Sequence, residues 1–311
     1  MTTISIVLKA VRWNEWKDTK LVFFLIFFAT YCPKTNIFYS VYELILGIIF
    51  VSICLSLGHI TNNISDTDQD KQAGKQIIKP EVLKIILVIL IILLFVFSIH
   101  YITDLISLII ILFSLFLGIS YSKRPFRFKE KGLLGIIVGG ISQRVLPLLP
   151  IAYCWHAIPS AWLFFLVLTF ISFRQMIVHQ IKDHQKDLHS HTNTFVTNIG
   201  ISTSKIIIYA LSLIEISALI IWLVNLNTVL PLITFLMFLV FLVASYTQKS
   251  TYWQKISILN SSRYPLSDFY FLLLPILGCL FISPPLTYIY LILAIVFQKY
   301  FLFEFAYIFR R

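Results

Sequence analysis

The chain has 311 residues, of which 59% are hydrophobic and only 13% are charged, and its mean hydropathy is +0.88. A water-soluble globule would have to hide that apolar content almost entirely in its core, so the composition indicates an integral membrane protein. The net charge of +11 raises the question of nucleic acid, but the sequence contains no RNA- or DNA-binding motif, which argues against such a partner.

Apolar runs near the length of a bilayer recur along the whole chain, after an interfacial lead-in, VRWNEWKDTK. A span needs about 20 such residues, with about 17 as the lower limit. The runs cover residues 21–33, 38–58, 82–99, 104–120, 133–153, 160–178, 205–224, 228–246, 268–282 and 285–303. The first and ninth are short, so we predict an all-α bundle of nine or ten transmembrane helices, forming a single domain over residues 1–311.

The positive charges concentrate in the loops that follow the even-numbered runs. These residues are Lys71, Lys75, Lys79, Lys123, Arg124, Arg127, Lys129, Lys131, Lys182, Lys186, Lys249, Lys255 and Arg263. The alternate turns hold little beyond Lys34 and Asp104. By the positive-inside rule, we predict a multi-pass protein of the cell (inner) membrane whose even-numbered loops face the cytoplasm.

The loop after the second run contains the sequence NNISDTDQDKQAGK, which begins at Asn62. Asn62, Asp66 and Asp70 are four residues apart, so on a helix that continues out of the membrane all three lie on one face. Two carboxylates held there repel each other unless a cation lies between them. All-oxygen ligands suit Mg²⁺ first, with Mn²⁺ or Ca²⁺ after it. Lys75 and Lys79 follow, and they are candidates to neutralise the carboxylates or to hold phosphate oxygens.

The loop after the sixth run repeats the spacing, because Asp183 and Asp187 are again four residues apart. A single DxxxD motif in a loop is usually just a solvent-exposed surface feature. Two copies in loops on the same side of the membrane, in a chain with few acidic residues, favour a metal site. Between the two motifs, YSKRPFRFKEKG places five basic residues around an aromatic pair. Membrane anchoring alone would explain such a basic run. Because this run lies between two acid clusters, it is also a candidate diphosphate site.

Together these motifs predict a diphosphate-binding site at the membrane surface, above an apolar bundle able to hold a lipid tail. They resemble the UbiA superfamily of intramembrane prenyltransferases, which carries NxxxDxxxD after its second helix, a YS segment with basic residues after its fourth, and DxxxD after its sixth. The resemblance covers residues from about 12 to at least 225. Asn63 and His191 depart from the Asp and Gly that are common in the family.

The resemblance implies a lipid-open central cavity capped by cytoplasmic loops, and two Mg²⁺ ions, replaceable by Mn²⁺, that bridge a prenyl diphosphate donor. A lipophilic acceptor, usually aromatic, would then attack the prenyl cation. The predicted metal ligands, whose aspartates are also the predicted catalytic residues, are Asn62, Asp66, Asp70, Asp183 and Asp187. The predicted phosphate-binding residues are Lys75, Lys79, Lys123, Arg127, Lys129 and Lys182. The substrate-cavity candidates are Tyr121, Gln143, Arg144 and His179.

Several alternatives remain beside the transferase. A membrane terpene cyclase shares the donor ionisation step, so the sequence does not separate it from a transferase. A transporter of an anionic substrate is the main alternative that is not an enzyme. CDP-alcohol phosphotransferases need an upstream DG and AR that are missing before Asp183, and di-iron hydroxylases need HxxxH and HxxHH clusters that do not occur. The four cysteines stand singly and are interpreted as small core residues.

Overall fold

A computed structural model of the chain describes residues 3–33, 36–67, 71, 78–190, 192–226, 228–248, 257–259 and 264–296. Within these ranges the regular structure is helical and contains no strand, which confirms the all-α prediction. The α-helices are α1 (Thr3–Ala10), α2 (Trp13–Trp16), α3 (Val22–Tyr31), α4 (Ile37–Ser65), α5 (Pro80–Ser98), α6 (Leu105–Ser122), α7 (Leu133–Arg144), α8 (Leu149–Cys154), α9 (Ile158–His189), α10 (Phe195–Ile199), α11 (Ile201–Val224), α12 (Leu230–Thr247), α13 (Leu274–Leu277) and α14 (Pro284–Val296).

Six helices in the described ranges are long and apolar enough to cross a bilayer. They are Ile37–Ser65, Pro80–Tyr101, Leu105–Ser122, Ile158–His189, Ile201–Val224 and Leu230–Thr247. Shorter apolar helices cover Thr19–Tyr31, Leu133–Arg144, Phe269–Phe281 and Leu286–Val296. The count of nine or ten spans therefore stays a prediction. On α5, Ile85, Ile92 and Val96 are each more than half exposed, an arrangement that suits contact with lipid.

The fifth apolar run forms two helices, where the sequence suggested one span. Helix α7 ends at Arg144 and α8 begins at Leu149, with Pro147 in the turn between them and Pro150 in the first turn of α8. Proline lacks a backbone N–H and clashes with the preceding helical turn. Pro147 therefore prevents α7 from continuing, whereas Pro150 is tolerated because it lies in the first turn of α8. The break leaves Arg144 at a helix end inside the protein, with only 4% of its surface exposed.

Helix α7 packs closely against α6 and α9 because two glycines lie at its contacts. A Cβ atom at Gly139 would lie 2.6 Å from the Tyr121 ring, and one at Gly140 would lie 2.6 Å from the Phe173 ring. Small residues at membrane-helix contacts allow this close approach. The three helices therefore hold Tyr121 and the polar end of α9 in one fixed arrangement.

A buried ion pair joins α9 to α11. Arg174 donates two hydrogen bonds to the Glu215 carboxylate: its Nε atom lies 2.6 Å from Oε2, and its Nη2 atom lies 3.3 Å from Oε1. The side chains are 1% and 0% exposed, and the guanidinium lies 3.3 Å from the centre of the Tyr264 ring. The pair thus places two costly charges inside the protein and neutralises them there.

Candidate active site

A cavity of about 960 Å³ opens between the helices at the end of the bundle where α4, α6 and α9 finish and α5 and α7 begin, which we call the motif end. Nine of the residues selected from the sequence line it: Asn62, Asp66, Tyr121, Lys129, Gln143, Arg144, His179, Asp183 and Asp187. The cavity therefore brings together residues from both aspartate motifs and from the basic loop between them.

The first wall of the cavity is built at the end of α4. This helix ends at Ser65, and the backbone N–H of Asp66 closes its last turn by donating to the Asn62 carbonyl at 2.9 Å. The Nζ atom of Lys129 bridges the two side chains, donating to Oδ1 of Asp66 and, at 3.2 Å, to Oδ1 of Asn62. Ser122 donates to the same Asn62 oxygen at 2.9 Å. These contacts orient the side-chain oxygens of Asn62 and Asp66 toward one position, that of the Lys129 ammonium.

Lys129 reaches that point because the preceding loop folds back tightly. Arg127 has a left-handed backbone with φ of 38°, and its Nε atom lies 2.5 Å from the Glu130 carboxylate. A Cβ at Gly135 would lie 2.8 Å from the Phe128 carbonyl oxygen, so only glycine permits the approach. Burial lowers the pKa of Lys129 below its ordinary value, although attraction to Asp66 opposes that shift.

The second wall is the last part of α9. Asp183 and Asp187 both line the cavity, as expected for residues one helical turn apart on one face. His179 lies one further turn back, with Nε2 3.5 Å from Asp183 Oδ2. After α9, Thr194 caps α10 through a reciprocal capping box with Thr197.

The two walls are tied together by backbone contacts between their loops. Gly132, which has φ of +51°, donates its N–H to the Asn193 carbonyl at 3.4 Å, and it forms an isolated bridge with Thr194. Thr192 in turn donates to the Asp187 carbonyl at 2.8 Å. The basic loop and the second aspartate motif therefore hold a fixed relative position.

The cavity becomes apolar away from the motif end. Its deeper lining includes Phe50, Leu94, Ile111, Leu115 and Pro147. Between this part and the acidic mouth lie the polar side chains of Gln143, whose Nε2 is 3.3 Å from the Met176 sulfur, and of Arg144. A ligand that fills the whole cavity must therefore have a charged head and a long apolar tail.

The remaining predicted residues are placed differently. Arg127 does not line the cavity but lies beside it, with Nη2 3.5 Å from Asp66 Oδ1. Lys79, Lys123 and Lys182 are described and are not among the lining residues. Asp70 and Lys75 lie outside the described residues, so their predicted roles stay predictions.

The sequence analysis missed one group of lining residues. Arg12, Glu15 and Lys20 come from the segment interpreted as an interfacial lead-in, and His59 comes directly after the second apolar run. No spacing rule points to them, because Lys20 and His59 are 39 residues apart and meet only where the segment Lys17–Leu21, just before α3, packs against α4. A lysine at the start of an apolar run is more commonly an anchor at the membrane surface.

The donor set fits a hard divalent cation. Within the described part of the chain no three His, Cys, Asp or Glu residues cluster as a metal site, but two pairs of oxygen ligands line the cavity. One pair is Asn62 and Asp66, and the other is Asp183 and Asp187. The Lys129 ammonium already occupies a cationic position between the first two. Carboxylate and amide oxygens are the ligands that Mg²⁺ and Mn²⁺ prefer.

A profile of the UbiA prenyltransferase family matches residues 21–260. The chain belongs to this family. The UbiA match covers α4, α6, α7 and α9, which carry most of the cavity lining, and it establishes the chain as an integral, multi-pass membrane protein with the membrane prenyltransferase fold. The family resemblance inferred from the motifs is confirmed.

Solved structures of UbiA proteins share the fold. A UbiA homolog from Archaeoglobus fulgidus matches with a TM-score of 0.62 and 15% identity, covering 94% of this chain and 99% of that one. The same homolog bound to Cd²⁺ matches with a TM-score of 0.61 and 16% identity, over 95% and 97%. A digeranylgeranylglyceryl phosphate synthase matches with a TM-score of 0.54 and 14% identity, over 96% and 98%. A comparison with curated protein sequences found no match.

Proposed function

We propose that the protein is a Mg²⁺-dependent prenyltransferase, which moves an isoprenyl chain from a prenyl diphosphate to a lipophilic, aromatic acceptor within the membrane. It would act as a single domain over residues 1–311, with the motif end on the cytoplasmic side. Mn²⁺ is expected to replace Mg²⁺. The proposal extends the family membership to a particular reaction and to particular residues.

One observation carries this proposal: a single cavity joins both acidic motifs at its mouth to an apolar interior. The mouth holds Asp66, Asp183 and Asp187 beside Lys129, and the interior ends among Phe50 and neighbouring aliphatic side chains. A prenyl diphosphate has the same division into a highly charged head and a hydrocarbon tail. The match in charge and polarity supports this class of donor above a small soluble anion.

The side chains have distinct proposed roles. Asn62, Asp66 and Asp70 would hold one cation, and Asp183 and Asp187 the other. Bound Mg²⁺ would supply positive charge to the diphosphate leaving group. Lys129 and Arg127 lie beside the first pair and would bind phosphate oxygens, with Lys75, Lys79, Lys123 and Lys182 as the further predicted contacts.

The reaction breaks the allylic C–O bond of the donor, and the electron pair leaves with pyrophosphate. The acceptor carbon then bonds to the prenyl cation and loses a proton. Tyr121 lines the cavity within electrostatic range of both Asp66 and Asp187, so its ring is available to stabilise the cation by a cation–π interaction. The apolar walls around the tail keep water away from the cation.

The test is pyrophosphate release by the purified protein from geranyl, farnesyl and geranylgeranyl diphosphates, with Mg²⁺ and with excess EDTA. Products are identified by mass spectrometry against a panel of aromatic acids and quinols. We expect release that stops in EDTA, returns with Mg²⁺ or Mn²⁺, and yields a prenylated acceptor. Release that yields only a hydrocarbon would replace the transferase by a terpene cyclase, and absence of release with every donor would overturn the proposal.

A further inference from the structure

Two glycines line the cavity just below its mouth, and neither is needed for helix packing. Gly58 lies on α4 and Gly118 on α6. Within the described part of the chain, a Cβ atom at either position would have no packing neighbour within 4 Å, whereas one at Gly139 would collide with the Tyr121 ring. A glycine inside a helix lowers the stability of that helix relative to alanine. Gly58 and Gly118 therefore keep space open for a ligand rather than for a neighbouring helix.

The two glycines lie at the same depth in the cavity. Helices α4 and α6 both run toward the motif end, where the Ser122 hydroxyl donates to Oδ1 of Asn62 at 2.9 Å. Gly58 precedes Asn62 by four residues and Gly118 precedes Ser122 by four, so each lies about 6 Å below this contact by the helical rise. The two positions border the part of the cavity where the charged mouth passes into the apolar interior, which we call the neck.

The deep end of the cavity is closed by packed side chains. Phe50 from α4, Leu94 from α5 and Ile111 from α6 line it, and each has at most 6% of its surface exposed. The Phe50 ring packs edge-on against the fully buried Tyr101 ring, with the two ring centres 4.9 Å apart. By contrast, Ile109, two residues before Ile111, is 54% exposed on the outer face of α6. Among the described residues the cavity therefore ends at Phe50, and we call Phe50 and Tyr101 its floor.

The distance from the mouth to the floor can be compared with the length of a prenyl chain. Phe50 precedes Asn62 by twelve residues on α4, or about 18 Å, and Ile111 precedes Tyr121 by ten residues on α6, or about 15 Å. An isoprene unit adds four main-chain carbon–carbon bonds of about 1.5 Å each, which span about 5 Å when the chain is staggered and extended. A chain of three or four units therefore fills the apolar part of the cavity, and a fifth unit would collide with the Phe50 ring.

We infer that the neck and the floor select the length of the donor chain. Gly58 and Gly118 leave the width that a methyl-branched chain needs to pass the neck, and Phe50, supported by Tyr101, limits the chain to three or four isoprene units. This inference rests on the proposed prenyl transfer and narrows the donor class to farnesyl and geranylgeranyl diphosphates. A geranyl chain would leave the deep apolar walls without a partner, so it would bury less apolar surface and bind more weakly.

The experiment measures kcat/KM for pyrophosphate release by the full-length protein from a series of prenyl diphosphates with one to six isoprene units. We expect a maximum at three or four units. Donors with two units or with five should be poorer by about 10-fold or more, because one methylene group in an apolar pocket already discriminates by about that factor. Equal use of five-unit and six-unit donors by the unaltered protein would overturn the closed floor.

Substitutions at the floor and at the neck should move the maximum in opposite directions. Phe50→Ala removes the ring and should raise kcat/KM for the five-unit donor by about 10-fold, while Phe50→Leu, a smaller disturbance of the packing, should give part of this shift. Gly58→Leu and Gly118→Leu place a side chain in the neck and should shift the preference to the one-unit donor, dimethylallyl diphosphate. Because neither glycine has a packing neighbour, both leucine variants should keep the melting temperature of the unaltered protein.

A control separates these shifts from a general defect. Ile92→Ala removes an apolar side chain that is 57% exposed on α5 and does not line the cavity, so it should leave the length profile unchanged. A shift in Ile92→Ala equal to that in Phe50→Ala would overturn the role of the floor. So would an unchanged profile, or the same proportional loss with every donor, in both Phe50→Ala and Phe50→Leu. Full use of three-unit and four-unit donors by both leucine variants would overturn the role of the neck.

The failure of the proposed function has a different signature. In that case the protein releases no pyrophosphate from any donor, and the length selection is tested by binding of the same prenyl diphosphates. A rise in melting temperature that is largest with three or four units, and that moves to five units in Phe50→Ala, would support the inference. Equal stabilisation by all chain lengths, or none by any of them, would overturn it.

Discussion

Asp187 lines the cavity one helical turn beyond Asp183, and its proposed role is metal binding. We expect Asp187→Asn to lower kcat/KM by about 100-fold or more, because removal of one group that stabilises the transition state typically has an effect of that size. Its free energy of unfolding should change by less than about 0.5 kcal/mol, since the side chain is partly exposed. Pyrophosphate release and the melting temperature in detergent measure the two effects.

A matched control is available at the opposite end of the bundle. Asp104 caps α6, and its carboxylate accepts a hydrogen bond from Tyr153 at 2.6 Å. Asparagine also caps helices well, so Asp104→Asn should leave both activity and stability nearly unchanged. Similar losses of activity in both variants would contradict a specific role for Asp187.

Substitution of Lys129 should have opposite effects on metal binding and on donor binding. Its ammonium bridges Asn62 and Asp66 in the free protein, where it competes with any cation for the same oxygens. Lys129→Met should therefore strengthen Mn²⁺ binding in the absence of donor, while it raises the donor KM about 10-fold through loss of a phosphate contact. Calorimetric titration with Mn²⁺ and steady-state kinetics measure these effects. Weaker Mn²⁺ binding in this variant would contradict the arrangement.

At the level of elements, the Arg174–Glu215 pair joins α9 to α11 inside the protein. Glu215→Gln removes one charge and leaves Arg174 buried without compensation, for which a loss of about 3–5 kcal/mol is expected. The melting temperature in detergent should fall accordingly. The double variant Arg174→Met with Glu215→Met removes both charges and should recover most of the stability. A Glu215→Gln variant as stable as the unaltered protein would show that the pair does not stabilise the contact.

Hydrophobic runs and four-residue spacings predict much of this arrangement, because they depend on local periodicity. They identified α4, α5, α6, α9, α11 and α12, and they identified three aspartates that line the cavity, Asp66, Asp183 and Asp187. The break between Arg144 and Leu149 was missed because its flanks remain apolar, and Pro147 and Pro150 are the residues that signal it. The meeting of Lys20 with His59 depends on tertiary packing, which no local pattern encodes.

At the level of the whole molecule, the orientation across the membrane is predicted from the distribution of charge. In the sequence, most lysines and arginines outside the N-terminal segment follow the even-numbered apolar runs, and the second, fourth and sixth of these runs finish at the motif end, so this end should face the cytoplasm. Gln185, near the motif end of α9, and Thr103, in the turn before α6, are both exposed and lie at opposite ends of the bundle. Each can carry a single cysteine in a variant that lacks Cys32, Cys54, Cys154 and Cys279.

We expect a membrane-impermeant maleimide to label Thr103→Cys in intact cells and Gln185→Cys only in inverted membrane vesicles. The reason is that lysine and arginine side chains near membrane helices are retained on the cytoplasmic side during insertion. Labelling of Gln185→Cys in intact cells would reverse the orientation, and the diphosphate donor would then have to reach the cavity from outside the cell. Equal labelling of both positions in intact cells would mean that the two loops lie on the same side, which α9 as a complete span does not allow.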